Sequence, residues 1–143
     1  MCGIFAYIGT RDDAPNIVLE GIKLLEYRGY DSWGISYIPN TKTKKLMFEK
    51  HIGKIGTSVL SINTKSKIAL GHTRWATHGG VTDENAHPHL DCNERIAVIH
   101  NGIVENYQDL KKRLFRKNHI FKSETDTEII SHLIEEKLKT KTI

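Results

Sequence analysis

The sequence predicts a single α+β domain with helices packed on sheet. Two observations carry that prediction. The first is an apolar run, "GIFAYI", that opens the chain as a strand would. The second is the order of the elements: strand, helix, several strands, then helices. No internal repeat or low-complexity linker interrupts them. At 143 residues the chain is long enough for one core.

The run from Gly3 to Ile8 reads as a buried strand, with Cys2 at its exposed start. Next, "RDDAPNIVLEGIKLLEYRG" reads as a helix that Asp12 or Asp13 caps, with Pro15 in its first turn and Gly29 at its end. Its inward face is expected to be Ile17, Gly21, Leu24 and Leu25. "WGISYI" and "KKLMFEK" form a strand pair across the turn-like "PNTKT". "SKIALGHTRWAT" and "RIAVIHNGIV" are apolar strands that run into polar, glycine-containing loops. "NYQDLKKRLFRK" is an amphipathic helix on Tyr107, Leu110 and Leu114. The helix in "TDTEIISHLIEEKLK" opens with a capping box, Thr125 and Glu128, and turns Ile130, Leu133 or Ile134, and Leu138 inward.

Composition excludes several classes. Apolar and charged fractions are those of a globular protein, and no apolar run approaches the roughly 20 residues of a membrane span. No basic leader precedes the first apolar stretch, so no secretory signal is read there. Two cysteines make no disulfide framework, and a cytoplasmic setting is expected. The net charge of +4 comes mostly from dispersed lysines without an arginine-rich helix or aromatic platform. They read as a solvated surface rather than a nucleic-acid patch.

The chemistry concentrates in "GHTRWATHGGVTDENAHPH" and "HNGIVEN". The histidines suggest a metal, but His87 and His89 flank a proline, Cys92 stands isolated, and neither a cysteine pair nor HExxH is present, so no metal site and no cofactor are expected. Arg74, beside Trp75 and the donors Thr77 and His78, suits a carboxylate clamp, or equally a structural ion pair. Asn101 and Gly102 suit an oxyanion hole, or a plain hairpin turn. Cys2 adds weight to the catalytic alternatives. Removal of Met1 would leave it with both a thiol and a free α-amine, and an α-amine titrates near pH 7.7–8.0, so it can take the thiol proton without a separate histidine.

"MCGIFAYIG", "LEYRGYDS", "GHTRWATHG", "TDENAHPH", "HNGIVENY" and "SETDTEIISHLI" together resemble the class II glutamine amidotransferases of the N-terminal-nucleophile hydrolase group. Within them the likeness is to the glutaminase domain of glucosamine-6-phosphate synthases, the isomerising glutamine–fructose-6-phosphate aminotransferases. Amidophosphoribosyltransferases, the alternative, usually carry glutamine after "RG" and lack "TDENAHPH"; here Tyr30 follows Arg28 and Gly29, and Thr82 to His89 are intact.

The resemblance implies an αββα sandwich, of which residues 1–143 would be the N-terminal part, incomplete at the C-terminus. It implies Cys2 as nucleophile, its α-amine as base, and Asn101 with the Gly102 amide as oxyanion hole. Arg74, Thr77 and His78 would hold the α-carboxylate of L-glutamine and Asp126 its α-ammonium. Trp75 would line the ammonia route and Arg28 would anchor the loop around the site. The implied partners are L-glutamine and sugar-isomerase domains of a homo-oligomeric enzyme, with no nucleic acid or membrane. The rival from another class is a non-catalytic glutamine-binding fragment. Trp33 departs from the pattern, which has a small residue there. The isolated chain is expected to expose apolar sheet surface and to aggregate, while its site residues converge near Cys2.

Overall fold

The computed structural model of the chain describes residues 1–41, 45–61, 64–77 and 79–140. Four strands, β1 (Gly3–Ile8), β2 (Ser32–Tyr37), β3 (Met47–Ile52) and β4 (Ile68–Arg74), form an antiparallel sheet in the order β1-β4-β2-β3. Strand β4 therefore lies between β1 and β2, with Gly3 opposite Thr73 and Ser32 opposite Arg74. The C-terminal end of β4 and the N-terminal ends of β1 and β2 meet at one edge of the molecule. Side chains alternate across the sheet. Phe5, Tyr7, Trp33, Ile35, Tyr37 and Ala69 share one face, and helix α1 (Ala14–Lys23) covers it through Ala14, Val18, Leu19 and Ile22. Each such aliphatic side chain, once buried, contributes roughly 1.5–3 kcal/mol.

The other face carries His72 on β4, Ser32, Gly34 and Ser36 on β2, and Lys50 on β3. The loop 82–88 lies directly on this face: a Cβ built on Gly34 would stand 2.1 Å from the His87 carbonyl oxygen, so only glycine fits. The His72 ring stacks on His87 at 4.0 Å between centroids, and His87 meets His89 edge-on at 4.5 Å. His89 begins β5 (His89–Leu90), which pairs with β6 (Ala97–Val98) in a second, small antiparallel sheet. Three histidines thus join the two sheets. Helix α3 (Glu128–Thr140) packs on β5 and β6, and α2 (Tyr107–Phe115) packs on α3. The layers run α1, first sheet, second sheet, α3: an αββα sandwich. Among the described residues, no helix is long and apolar enough to cross a membrane.

Several sequence expectations are corrected. β1 is half-buried rather than buried; Ile4 and Ile8 point to the second face and are 42% and 79% exposed. The inward face of α1 is rotated from the expected one: Ile17 is only half-buried and Leu24 is 77% exposed, because the helix ends at Lys23 and a 3-10 turn (Glu26–Arg28) precedes Gly29. Asp13 occupies the cap position, yet its carboxylate turns to Arg11 rather than capping. The "PNTKT" turn falls partly on residues 42–44, outside the described residues. The "RIAVIHNGIV" strand is only two residues long.

At α3 the capping box does not form. The Glu128 carboxylate accepts from the amides of Lys122 and Ser123, and the Thr125 hydroxyl engages His89 Nε2 at 2.9 Å. The buried face of α3 carries Glu128, Ile129, Ser131, His132 and Glu135, whereas Ile134 and Leu138 are exposed. Polar side chains there have partners, so the face that looks hydrophilic in sequence is the one turned inward. Trp33 fits by packing in the main core, stacked on His51 at 4.5 Å.

Candidate active site

A cavity of about 520 Å³ opens where β1 and β4 end. Cys2 lies at its wall, one residue before β1. Its Sγ donates to the Trp75 carbonyl at 3.6 Å, and the Trp75 amide stands 3.3 Å from the same sulfur as donor. Trp75 itself lines the cavity, half-exposed, with Tyr30 against it edge-on at 5.3 Å.

Asn101 and Gly102 reach the cavity from the chain that leaves β6. Asn101 Nδ2 donates to the Cys2 carbonyl at 3.1 Å, and its Oδ1 accepts from His72 Nε2 at 2.8 Å. The amide orientation is therefore fixed at both ends, with one Nδ2 proton left over. This pair is no hairpin turn: the segment runs irregularly from β6 toward α2. A Cβ on Gly102 would meet the tip of the His100 ring at 2.7 Å, so any other residue there would have to move that ring.

Arg74 is buried at the end of β4 and lines the cavity. Its Nη1 donates to the Gly80 carbonyl at 3.0 Å and its Nη2 to that of Gly79 at 3.4 Å, so it pins the loop that follows it. Burial lowers its pKa from the ordinary arginine value, while Cys2 and Asp31 act to raise it. Asp31 in turn accepts from the Ala76 amide at 2.8 Å. Thr77 and Arg28 line the same space, and the Arg28 Nη2 stands 3.7 Å from the Met1 thioether. Asp126, just ahead of α3, also lines it; its Oδ2 accepts from the Val104 amide. His78 lies outside the described residues. All the other site residues named from the sequence border this one cavity.

Sequence reasoning passed over His72, the residue that fixes Asn101. Its signal was its place two positions before Arg74 on one strand, hence on the same sheet face. Burial pushes the His72 pKa down to about 4 and that of His89 to about 3, and it lowers His87 as well. The stack is neutral at pH 7.

Cys92 is corrected from isolated to clustered. Its Sγ lies 3.5 Å from His132 Nδ1 and 3.8 Å from His119 Nδ1, with Glu135 beside them. The sequence hid this group because its members are spread over three separate stretches.

The αββα layering and a thiol at the start of its first strand define the class: an amidotransferase of the N-terminal-nucleophile hydrolase architecture. The chain belongs to the glutamine amidotransferase domain family, which matches residues 36–141. It is 53% identical over 97% of its length to a Methanococcus maripaludis protein called glutamine–fructose-6-phosphate aminotransferase (isomerizing), and 51% identical over 97% to the Pyrococcus horikoshii protein of that name. It spans 23% of the length of each of these relatives. Among solved structures it is similar to the glutamine phosphoribosylpyrophosphate amidotransferase of B. subtilis (TM-score 0.74, 30% identity, 94% of this chain and 29% of that one). A second, described as the allosteric regulatory enzyme of purine biosynthesis, gives a TM-score of 0.76 at 34% identity, over 94% of this chain and 29% of that one.

Proposed function

We propose that this domain hydrolyses the side-chain amide of L-glutamine to glutamate and ammonia, with Cys2 as nucleophile once Met1 is removed. The carrying observation is that Cys2 Sγ, the doubly held Asn101 amide, Arg74 and Asp126 border one cavity. The freed α-amine accepts the thiol proton, and the thiolate attacks the amide carbon. The remaining Asn101 Nδ2 proton and the Gly102 amide stabilise the oxyanion. Ammonia leaves with a proton returned by the amine, and water then hydrolyses the γ-glutamyl thioester. Arg74 and Thr77, with His78, hold the α-carboxylate, Asp126 holds the α-ammonium, Trp75 borders the exit for ammonia and Arg28 steadies the rim.

The relatives' name supports the glucosamine branch for the whole protein: ammonia converting fructose 6-phosphate to glucosamine 6-phosphate on sugar-isomerase domains of the same enzyme. Identity of 51–53% to those relatives, against 30–34% to the two purine-pathway structures, favours that branch. In this reading residues 1–143 are the N-terminal part of the glutaminase domain, in a cytoplasmic homo-oligomer.

The experiment is an ammonia-release assay on the full-length protein together with its intact mass. Active protein should begin at Cys2, and Cys2→Ala should abolish turnover while still binding glutamine. Activity in protein that retains Met1, or undiminished in Cys2→Ala, overturns the reading. Product analysis with fructose 6-phosphate decides the branch separately.

A further inference from the structure

On the far side of the second sheet from Cys2, four side chains converge on one point. Cys92 follows β5, His119 follows α2, and His132 and Glu135 lie on the buried face of α3. Their donor atoms all lie within 4.8 Å of one another. His119 Nδ1 stands 3.2 Å from His132 Nδ1 and 3.1 Å from Glu135 Oε2, and His132 Nδ1 stands 3.5 Å from the same oxygen. The two sulfur–nitrogen separations, given above, are of the same size. Tetrahedral zinc with Zn–N near 2.0–2.1 Å and Zn–S near 2.3 Å places its ligand atoms roughly 3.3–3.6 Å apart. The five separations given scatter around that value, and the sixth, between Cys92 and Glu135, lies within 4.8 Å.

His119 directs its outer nitrogen, Nε2, at Glu136 Oε2 over 3.1 Å, and His132 Nε2 faces Glu128 Oε1 at 3.5 Å. With each ring's proton on Nε2, both Nδ1 atoms turn lone pairs toward each other and toward the Glu135 carboxylate. The Cys92 thiol brings a single proton to three acceptors. A divalent cation at the centre resolves the repulsion, and thiolate plus carboxylate balance its charge.

The surroundings are those of a built metal site. The outer oxygen of Glu135, Oε1, accepts from Asn93 Nδ2 at 2.9 Å and Lys139 Nζ at 3.0 Å, which leaves Oε2 to point inward. The Cys92 amide adds a bond to Oε2 at 3.3 Å. Histidines backed by carboxylates are the usual outer shell of zinc ligands. The two histidines and Glu135 are buried.

We propose that Cys92, His119, His132 and Glu135 form a structural Zn²⁺ site. One thiolate, two imidazoles and a carboxylate suit zinc, and four protein ligands leave no open position for catalysis. The ion staples α3 to the loop after β5 and to the chain after α2. Because Asp126 directly precedes α3, the staple also steadies one wall of the Cys2 cavity.

The test is metal analysis of the full-length protein purified without chelator. Wild type and Cys2→Ser should each retain roughly one zinc per chain, and Cys92→Ser and His132→Gln should lose it by roughly tenfold or more. X-ray absorption at the zinc edge of wild type needs no variant: it should show one sulfur and three nitrogen or oxygen neighbours. A shell without sulfur, zinc kept equally by both variants, or wild type that fails to take up zinc after chelation and refilling would overturn the proposal.

Discussion

His72 Nε2 and Asn101 Oδ1 lie 2.8 Å apart, and this contact decides which end of the Asn101 amide faces Cys2. The ring is buried, and with a pKa of about 4 it remains a neutral Nε2–H donor at pH 7. His72→Ala should free the amide and lower kcat by about tenfold or more. That is short of the 10²–10³-fold expected for losing an oxyanion donor outright, with KM for glutamine little changed. His72→Gln can still donate to Oδ1 and should recover part of the rate. Steady-state kinetics on the three proteins check this; equal loss in both variants would mean the ring acts by packing alone.

Arg74 pins the Gly79 and Gly80 carbonyls and, in the function proposed above, also meets the substrate carboxylate. Arg74→Ala should weaken kcat/KM for glutamine by roughly 2–5 kcal/mol, the range for removing one partner of a buried charged pair. For an amide substrate lacking the α-carboxylate the deficit should be much smaller. Equal deficits with both substrates would assign Arg74 to the loop alone.

The histidine stack makes stability fall in acid. An unfolded histidine titrates near pH 6.5, whereas burial depresses His72 and His89 to about 4 and 3 in the fold. The stabilising effect of keeping them neutral is complete above pH 6.5 and is lost as pH falls toward those folded values. For His72 alone the loss is on the order of 3 kcal/mol. Nearby Arg74 and Lys50 add to the depression, while Glu128 partly offsets it at His89. Urea midpoints should hold from pH 7.5 to about 6.5 and then drop steadily to pH 4.5, and a flat profile would contradict the assignment.

Gly34→Ala tests the contact between β2 and the loop above it. The new methyl would meet the His87 carbonyl at 2.1 Å and the Glu49 carbonyl at 2.7 Å, both backbone atoms that yield poorly. A loss of at least about 1–3 kcal/mol is expected. Gly80→Ala, whose methyl would find Thr82 at 3.8 Å, should cost far less. Denaturant midpoints of the two variants give the comparison.

Much of the architecture is legible in the sequence because it is written in local signals. Apolar runs mark β1 and β4, a turn-like stretch between two strand-like segments marks β2 and β3, Pro15 marks the start of α1, and the polar ends of apolar runs mark Arg74 and Asn101. What is not legible depends on partners far along the chain. The inward face of α3 could not be read from hydrophobicity, since Glu128, His132 and Glu135 are buried only by virtue of Ser123, His119 and Cys92. The rotation of α1 escaped for a related reason. Leu24 belongs to the helical pattern in sequence, but α1 ends at Lys23 and the backbone tightens into a 3-10 turn just beyond it.

The link between Cys2 and Asn101 joins residues 99 positions apart, and Asp126 lies further on still. On the ribosome, then, the proposed nucleophile emerges well before its companions. In the mechanism proposed above, a nascent chain that has exposed Cys2, and even lost Met1, holds a thiol with no oxyanion donor and no ammonium anchor. Glutamine is safe from it until the stretch through Asp126 has left the exit tunnel and docked. Arrested chains of graded length would show ammonia release switching on only beyond that point.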